Sequence, residues 1–93
     1  QCVEAAKYIT GNQGVSWGPA GKIKPNSDFP IIGGFGLTNE GLGHMFVVKD
    51  IFNNKVETLE CNYELGKCSS RILNIDDPKI GIRGWVLPGG PTI

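Results

Sequence analysis

The sequence predicts an α+β domain, with a short N-terminal helix packed on an antiparallel sheet of about four to five strands. Three observations predict it. Apolar residues recur at helical spacing only in the first ten positions. Apolar runs of strand length, divided by turn residues, fill the second half. Glycine and proline crowd the stretch between. Ninety-three residues make one domain, 1–93, with a small core.

The elements follow in order. Residues 1–10 form the helix, with Cys2, Ala5, Ala6 and Ile9 at the i, i+3, i+4, i+7 spacing of one buried face. Glu4 sits in its first turn and Lys7 further along, as the helix dipole favours, and Gly11-Asn12 supplies a left-handed stop. Residues 11–43 are loop-rich, and Trp17 and Phe29 are expected to pin them to the core. Ile31, Ile32, Phe35 and Leu37 suggest a short strand interrupted by Gly33 and Gly34. Gly34-Phe35-Gly36 lacks the third glycine and the following helix of a dinucleotide fingerprint.

Residues 44–52 make a strand, Asn53-Asn54 a turn, and 56–62 the return strand. Val56, Thr58, Glu60 and Asn62 share one face of that return strand. Residues 69–75 and 80–87 read as two more strands around the turn Asp76-Asp77-Pro78, which completes a meander.

A formal net charge of zero argues against nucleic acid or an anionic membrane face as a partner. No apolar run approaches the roughly 18–20 residues of a membrane span. There is no signal-peptide pattern, and an opening at Gln1 rather than Met suggests a mature form or an excised part of a longer protein. One histidine and widely spaced cysteines do not match zinc-ligand spacings, so neither metal nor cofactor is expected. Cys61 and Cys68 bracket NYELGK and can bridge in an oxidising compartment, which leaves Cys2 as the odd cysteine.

Cys2 is where the chemistry points. A thiol is a good nucleophile at neutral pH only as thiolate, and a helix N-terminus favours that form. An imidazole completes the activation by taking the proton, and His44 is the only one in the chain. The imidazole needs an orienting acceptor, for which Glu60 and Asn62 are both placed. Taken singly, each has an ordinary reading: a small buried thiol, a satisfied histidine, polar residues at a strand end. The conjunction of a helix-opening Cys, a Gly-His-apolar strand and a hairpin ending Glu-x-Asn is more specific than its members.

That order resembles the CHAP family, the cysteine- and histidine-dependent amidohydrolases/peptidases of the papain-like and NlpC/P60 class. The matching stretches are QCVEAAKYITG, GHMFVV and VETLECNY, with SSRIL and IRGWVL similar to the closing strands. The resemblance implies a papain-like core. It implies Cys2 as nucleophile, His44 as general base, Glu60 as the residue that orients the imidazole, and Asn62 as an accessory polar group. Gln1 and Trp17 are the candidate oxyanion and substrate contacts. The implied activity is cleavage of amide bonds in bacterial peptidoglycan, between the sugar and the first alanine or within the stem and cross-bridge. No metal or cofactor takes part. The implied setting is the cell wall or outside the cell, or host cytoplasm before lysis for a phage lysin. The chain would act as a monomer or within a larger phage or cell-wall assembly. A non-catalytic wall-binding or structural module on the same scaffold is the alternative.

Strand parity constrains this reading. With a strict two-residue turn at Asn53-Asn54 and regular pairing, Val47 faces Glu60 and His44 points to the opposite side of the sheet. A three-residue turn, or a β-bulge, pairs Phe46 with Glu60 and His44 with Asn62, and puts His44, Glu60 and Asn62 on one face. The sequence therefore predicts one of these two devices.

Overall fold

The computed structural model describes residues 2–12, 16–61 and 67–92. Among the described residues one α-helix, α1 (Cys2–Ile9), and a 3-10 turn (Ala20–Lys22) precede six strands: β1 (Phe35–Thr38), β2 (His44–Phe52), β3 (Lys55–Cys61), β4 (Cys68–Ser69), β5 (Ile72–Asn74) and β6 (Ile82–Val86). All pairings are antiparallel, and the order is β4-β3-β2-β1-β6, with β5 also on β3. The class is α+β, as expected. Two details differ from expectation. The stretch 69–75 is two short strands, because the Thr58 hydroxyl accepts the Arg71 N–H (2.9 Å) where a ladder carbonyl would otherwise sit. The last strand does not extend the meander. It returns to the free edge of β1, where Trp85 and Val86 point to opposite faces and cap a core on each.

The two cores follow from alternation along β2. Met45 and Val47 face α1 together with Phe35, Leu37, Val3 and Ala6. Phe46 and Val48 face the other way, with Val56, Leu73 and Trp85. Phe46 is fully buried, and its ring lies flat on Gly36, where any side chain would collide with it. Phe46 also meets Trp85 edge-on, with ring centroids 6.1 Å apart.

The buried face of α1 is Val3, Ala6 and Lys7, rotated from the one expected; Ile9 is exposed and Cys2 and Ala5 are half-buried. Lys7 is buried because its aliphatic stem lies along the core while Nζ reaches Glu4 (3.6 Å) and sits 5.9 Å from the Trp17 ring. The helix stops as the sequence indicates. Gly11 takes φ 74°, and the Asn12 N–H reaches back to the Lys7 carbonyl at 2.8 Å. Trp17 is pinned edge-on to Phe35 at 5.2 Å, whereas Phe29 is 63% exposed and pins nothing to the core.

Parity is solved by the bulge. Asn53 and Asn54 both take positive φ (49° and 59°) in a strict two-residue turn, with Phe52 paired to Lys55. The ladder then skips Lys49: Asp50 pairs with Glu57, and Val48 with Thr58. From there Val47 faces Leu59, so His44 and Glu60 fall on the same side of the sheet. A disulfide, Cys61–Cys68, joins β3 to β4 just beyond Glu60. Closing so short a loop contributes about 2–3 kcal/mol on the chain-entropy account.

Candidate active site

Packing of Val3 and Ala6 against Met45 and Val47 brings the first turn of α1 over the start of β2. Cys2, one residue before Val3, thereby meets His44, the first residue of β2. The thiol and the imidazole interact closely enough that each shifts the other's proton affinity. His44 Nε2 lies 2.6 Å from Glu60 Oε1, which leaves Nδ1 as the ring nitrogen that faces sulfur. The three residues predicted for the centre of the site are thus joined in one series, sulfur to imidazole to carboxylate.

Their electrostatics follow from those contacts. Burial pushes the Cys2 thiol up. The hydrogen bond with His44, the Met45 backbone N–H, the imidazole charge and the Val3 backbone N–H outweigh it, and the thiol ends below its ordinary value. The hydrogen bond to Cys2, then that to Glu60, raises His44 to about 9 against the penalty of burial. Glu60 is 5% exposed, and burial alone would raise its carboxyl. Hydrogen bonds from His44, Arg71 and Thr58 and the guanidinium charge overcome this and hold it at about 2. At neutral pH the arrangement favours imidazolium and carboxylate, and it draws the thiol toward its ionised form.

Glu60 has more partners than the sequence revealed. Oε1 accepts from His44 and from Arg71 Nη2 (2.8 Å), and Oε2 from Arg71 Nε (2.7 Å) and the Thr58 hydroxyl (2.5 Å). Arg71 also bridges to Glu40 in bidentate fashion, Nη1 to Oε2 and Nη2 to Oε1, each at 2.9 Å. Neither Arg71 nor Glu40 was found from the sequence. The signal was present in Glu60 itself, a carboxylate on the same face as buried Val56 and Thr58, which needs a cation beside it.

The series lies in a groove of about 970 Å³. One wall is Pro19-Ala20 and the other Glu40 and Arg71, with Gly41-Leu42-Gly43 at the rim. Two glycines set the rim. A Cβ on Gly43, at φ 109°, would lie 2.6 Å from the Cα of Gly21, and a Cβ on Gly21 would lie 2.5 Å from the Leu42 carbonyl oxygen. The backbones touch there, and Leu42 is left wholly exposed. Arg83 holds the first wall from behind, its Nη2 donating to the Ala20 carbonyl at 2.7 Å.

Of the remaining predicted residues, Trp17 does not line the groove. Its ring is taken up by Phe35, and it packs against the helix-side core. Gln1 and Asn62 lie outside the described residues. Among the described residues no group of three His, Cys, Asp or Glu side chains could hold a metal ion, and no helix is long and apolar enough to cross a membrane. The chain matches no family model, no curated protein and no solved structure.

Proposed function

We propose that the chain is a cysteine hydrolase of amide bonds in bacterial peptidoglycan, built on a papain-like core. The observation that carries this reading is the convergence of Cys2, His44 and Glu60 on one groove, with His44 Nε2 2.6 Å from Glu60 Oε1 and the thiol interacting with the imidazole. The resemblance of the helix, histidine-strand and return-strand motifs to CHAP enzymes supplies the substrate.

In the reaction the Cys2 thiolate attacks the amide carbonyl carbon, and the carbonyl π pair moves onto oxygen. The Cys2 backbone N–H is one candidate donor for that oxyanion, with the Gln1 side chain as a second. The intermediate collapses, the C–N bond breaks, and the nitrogen leaves as an amine with the proton carried by His44. The thioester left on Cys2 is then hydrolysed: neutral His44 takes a proton from water, hydroxide adds to the carbonyl, and sulfur departs as thiolate. Glu60 keeps the ring oriented and the imidazolium favoured throughout. Cleavage should therefore fall as pH rises through about 9, where His44 loses the proton the leaving amine needs. The site of action is proposed as the cell wall, reached alone or within a phage or wall-remodelling assembly.

The test is mass spectrometry of purified peptidoglycan after digestion by wild type, Cys2→Ala and His44→Ala. Wild type should release fragments with a new amine and a new carboxylate at one kind of amide bond, and both variants should release none. Wild type that binds walls but releases nothing would leave a non-catalytic wall-binding module instead.

A further inference from the structure

We propose that Arg71 and Glu40 are positioning residues of this site, a clamp that fixes the carboxylate on His44 and ties the loop before β2 to β5. The inference rests on the Cys2–His44 pair described above and assigns roles to two residues outside it.

The geometry supports the assignment in three ways. Arg71 spends its N–H groups on only two side chains, both carboxylates, and one of these touches the imidazole. The guanidinium engages both Glu60 oxygens while Thr58 takes the remaining lone pair of Oε2, so the carboxylate plane has no freedom to turn from His44. Glu40 lies four residues before His44 in the loop that leads into β2. It is held from behind by Thr38, the ladder partner of His44: the Thr38 hydroxyl donates to Glu40 Oε1 at 3.1 Å and accepts the Glu40 N–H at 3.2 Å. One guanidinium thus joins the two pieces of chain that present the ring and its acceptor.

Without it the two carboxylates would face each other across the groove wall, and mutual repulsion would drive them apart. The Arg71 backbone is tied to Thr58, its N–H donating to the Thr58 hydroxyl at 2.9 Å and its carbonyl accepting the Thr58 N–H at 2.8 Å. Lysine cannot replace it, because a single ammonium cannot serve two carboxylates in a planar fork.

Cys2 is the only free thiol, so iodoacetamide alkylation of the intact, non-reduced chain reads this site alone. Its rate against pH should be measured for wild type, Arg71→Lys, Glu60→Gln and the double variant, with circular dichroism as the check on folding. Arg71→Lys should move the alkylation midpoint to higher pH and slow the reaction about tenfold below it, the effect of one unit in the thiol pKa. The double variant should match Glu60→Gln alone, because Arg71 acts through that carboxylate. An unmoved midpoint, or shifts that add in the double variant, would overturn the proposal. Should Arg71→Lys not fold, Glu40→Gln decides: it must raise the midpoint, and a wild-type profile refutes the clamp. Alkylation needs no peptidoglycan. A chain that alkylates as expected but releases no wall fragments loses the hydrolase reading and keeps the clamp, and the reverse result separates them the other way.

Discussion

At the scale of single residues, the site is governed by the coupling between the thiol and the imidazole. The largest influence that raises His44 is its hydrogen bond to Cys2, ahead of the one to Glu60. Removing the sulfur in Cys2→Ala should therefore lower His44 from about 9 toward its ordinary value, with Glu60 keeping it part of the way up. Titration of the ring protons by NMR checks this directly, since the chain has a single histidine. A ring that titrates identically in wild type and variant would mean that the thiol and imidazole do not meet. The meeting of Cys2, His44 and Glu60 was legible in the sequence because the helix opening, the histidine strand and its return strand could each be read there. Arg71 and Glu40 were not, because nothing in a charged residue's local pattern says which distant carboxylate it will find.

At the scale of elements, close fit sets the tolerances. β1 carries Gly36 beneath the ring of Phe46, and β2 can approach only because that glycine has no side chain. Gly36→Ala should destabilise the protein by about 1–3 kcal/mol through overpacking, read as a lower midpoint in thermal or urea unfolding. An unchanged midpoint would show that the Phe46 ring can move aside. β2, β3 and the helix stop were legible, since apolar runs bounded by Asn and Gly constrain few alternatives. The helix face was not, because eight residues give too few turns for periodicity to decide, and Lys7 is buried by its stem rather than its class. The placement of β6 beside β1 was equally hidden. Consecutive strands suggest a meander, and only the open edge of β1 and the need to cap two cores overrule it.

At the scale of the whole molecule, the ionised groups couple the site to folding. Glu60 is depressed to about 2, so its contribution is fully present above its ordinary value of 4.5 and is lost as pH falls from there toward 2. Glu60→Gln should cost about 3–5 kcal/mol at neutral pH, as for a broken buried ion pair, and the difference from wild type should shrink across that acid range. Urea unfolding at several pH values measures it, and a constant difference would refute the linkage. On the alkaline side two contributions oppose. The raised His44 loses stability as pH rises from 6.5 through about 9, while the lowered Cys2 thiol gains it. Because the two slopes have opposite sign, the net dependence of wild-type stability on alkaline pH is smaller than that of His44 alone. Cys2→Ala removes the thiol's contribution and most of the rise in His44, so the decline that remains should be confined to the narrower range between 6.5 and the lowered imidazole value that Glu60 still supports.

The surplus residue at position 49 has a consequence for editing the chain. Deleting one residue from the middle of a paired strand normally turns everything beyond it inside out. Lys49 is the exception: the ladder skips it and, among the described residues, its only ion pair is an exposed one to Glu57 at 3.5 Å, so excising it straightens the ladder while Val48 keeps Thr58 and Asp50 keeps Glu57. The shortened chain should fold, and NMR should find its imidazole titrating as before. Removing Val47 instead should swing the ring to the far side of the sheet and abolish its contact with Glu60.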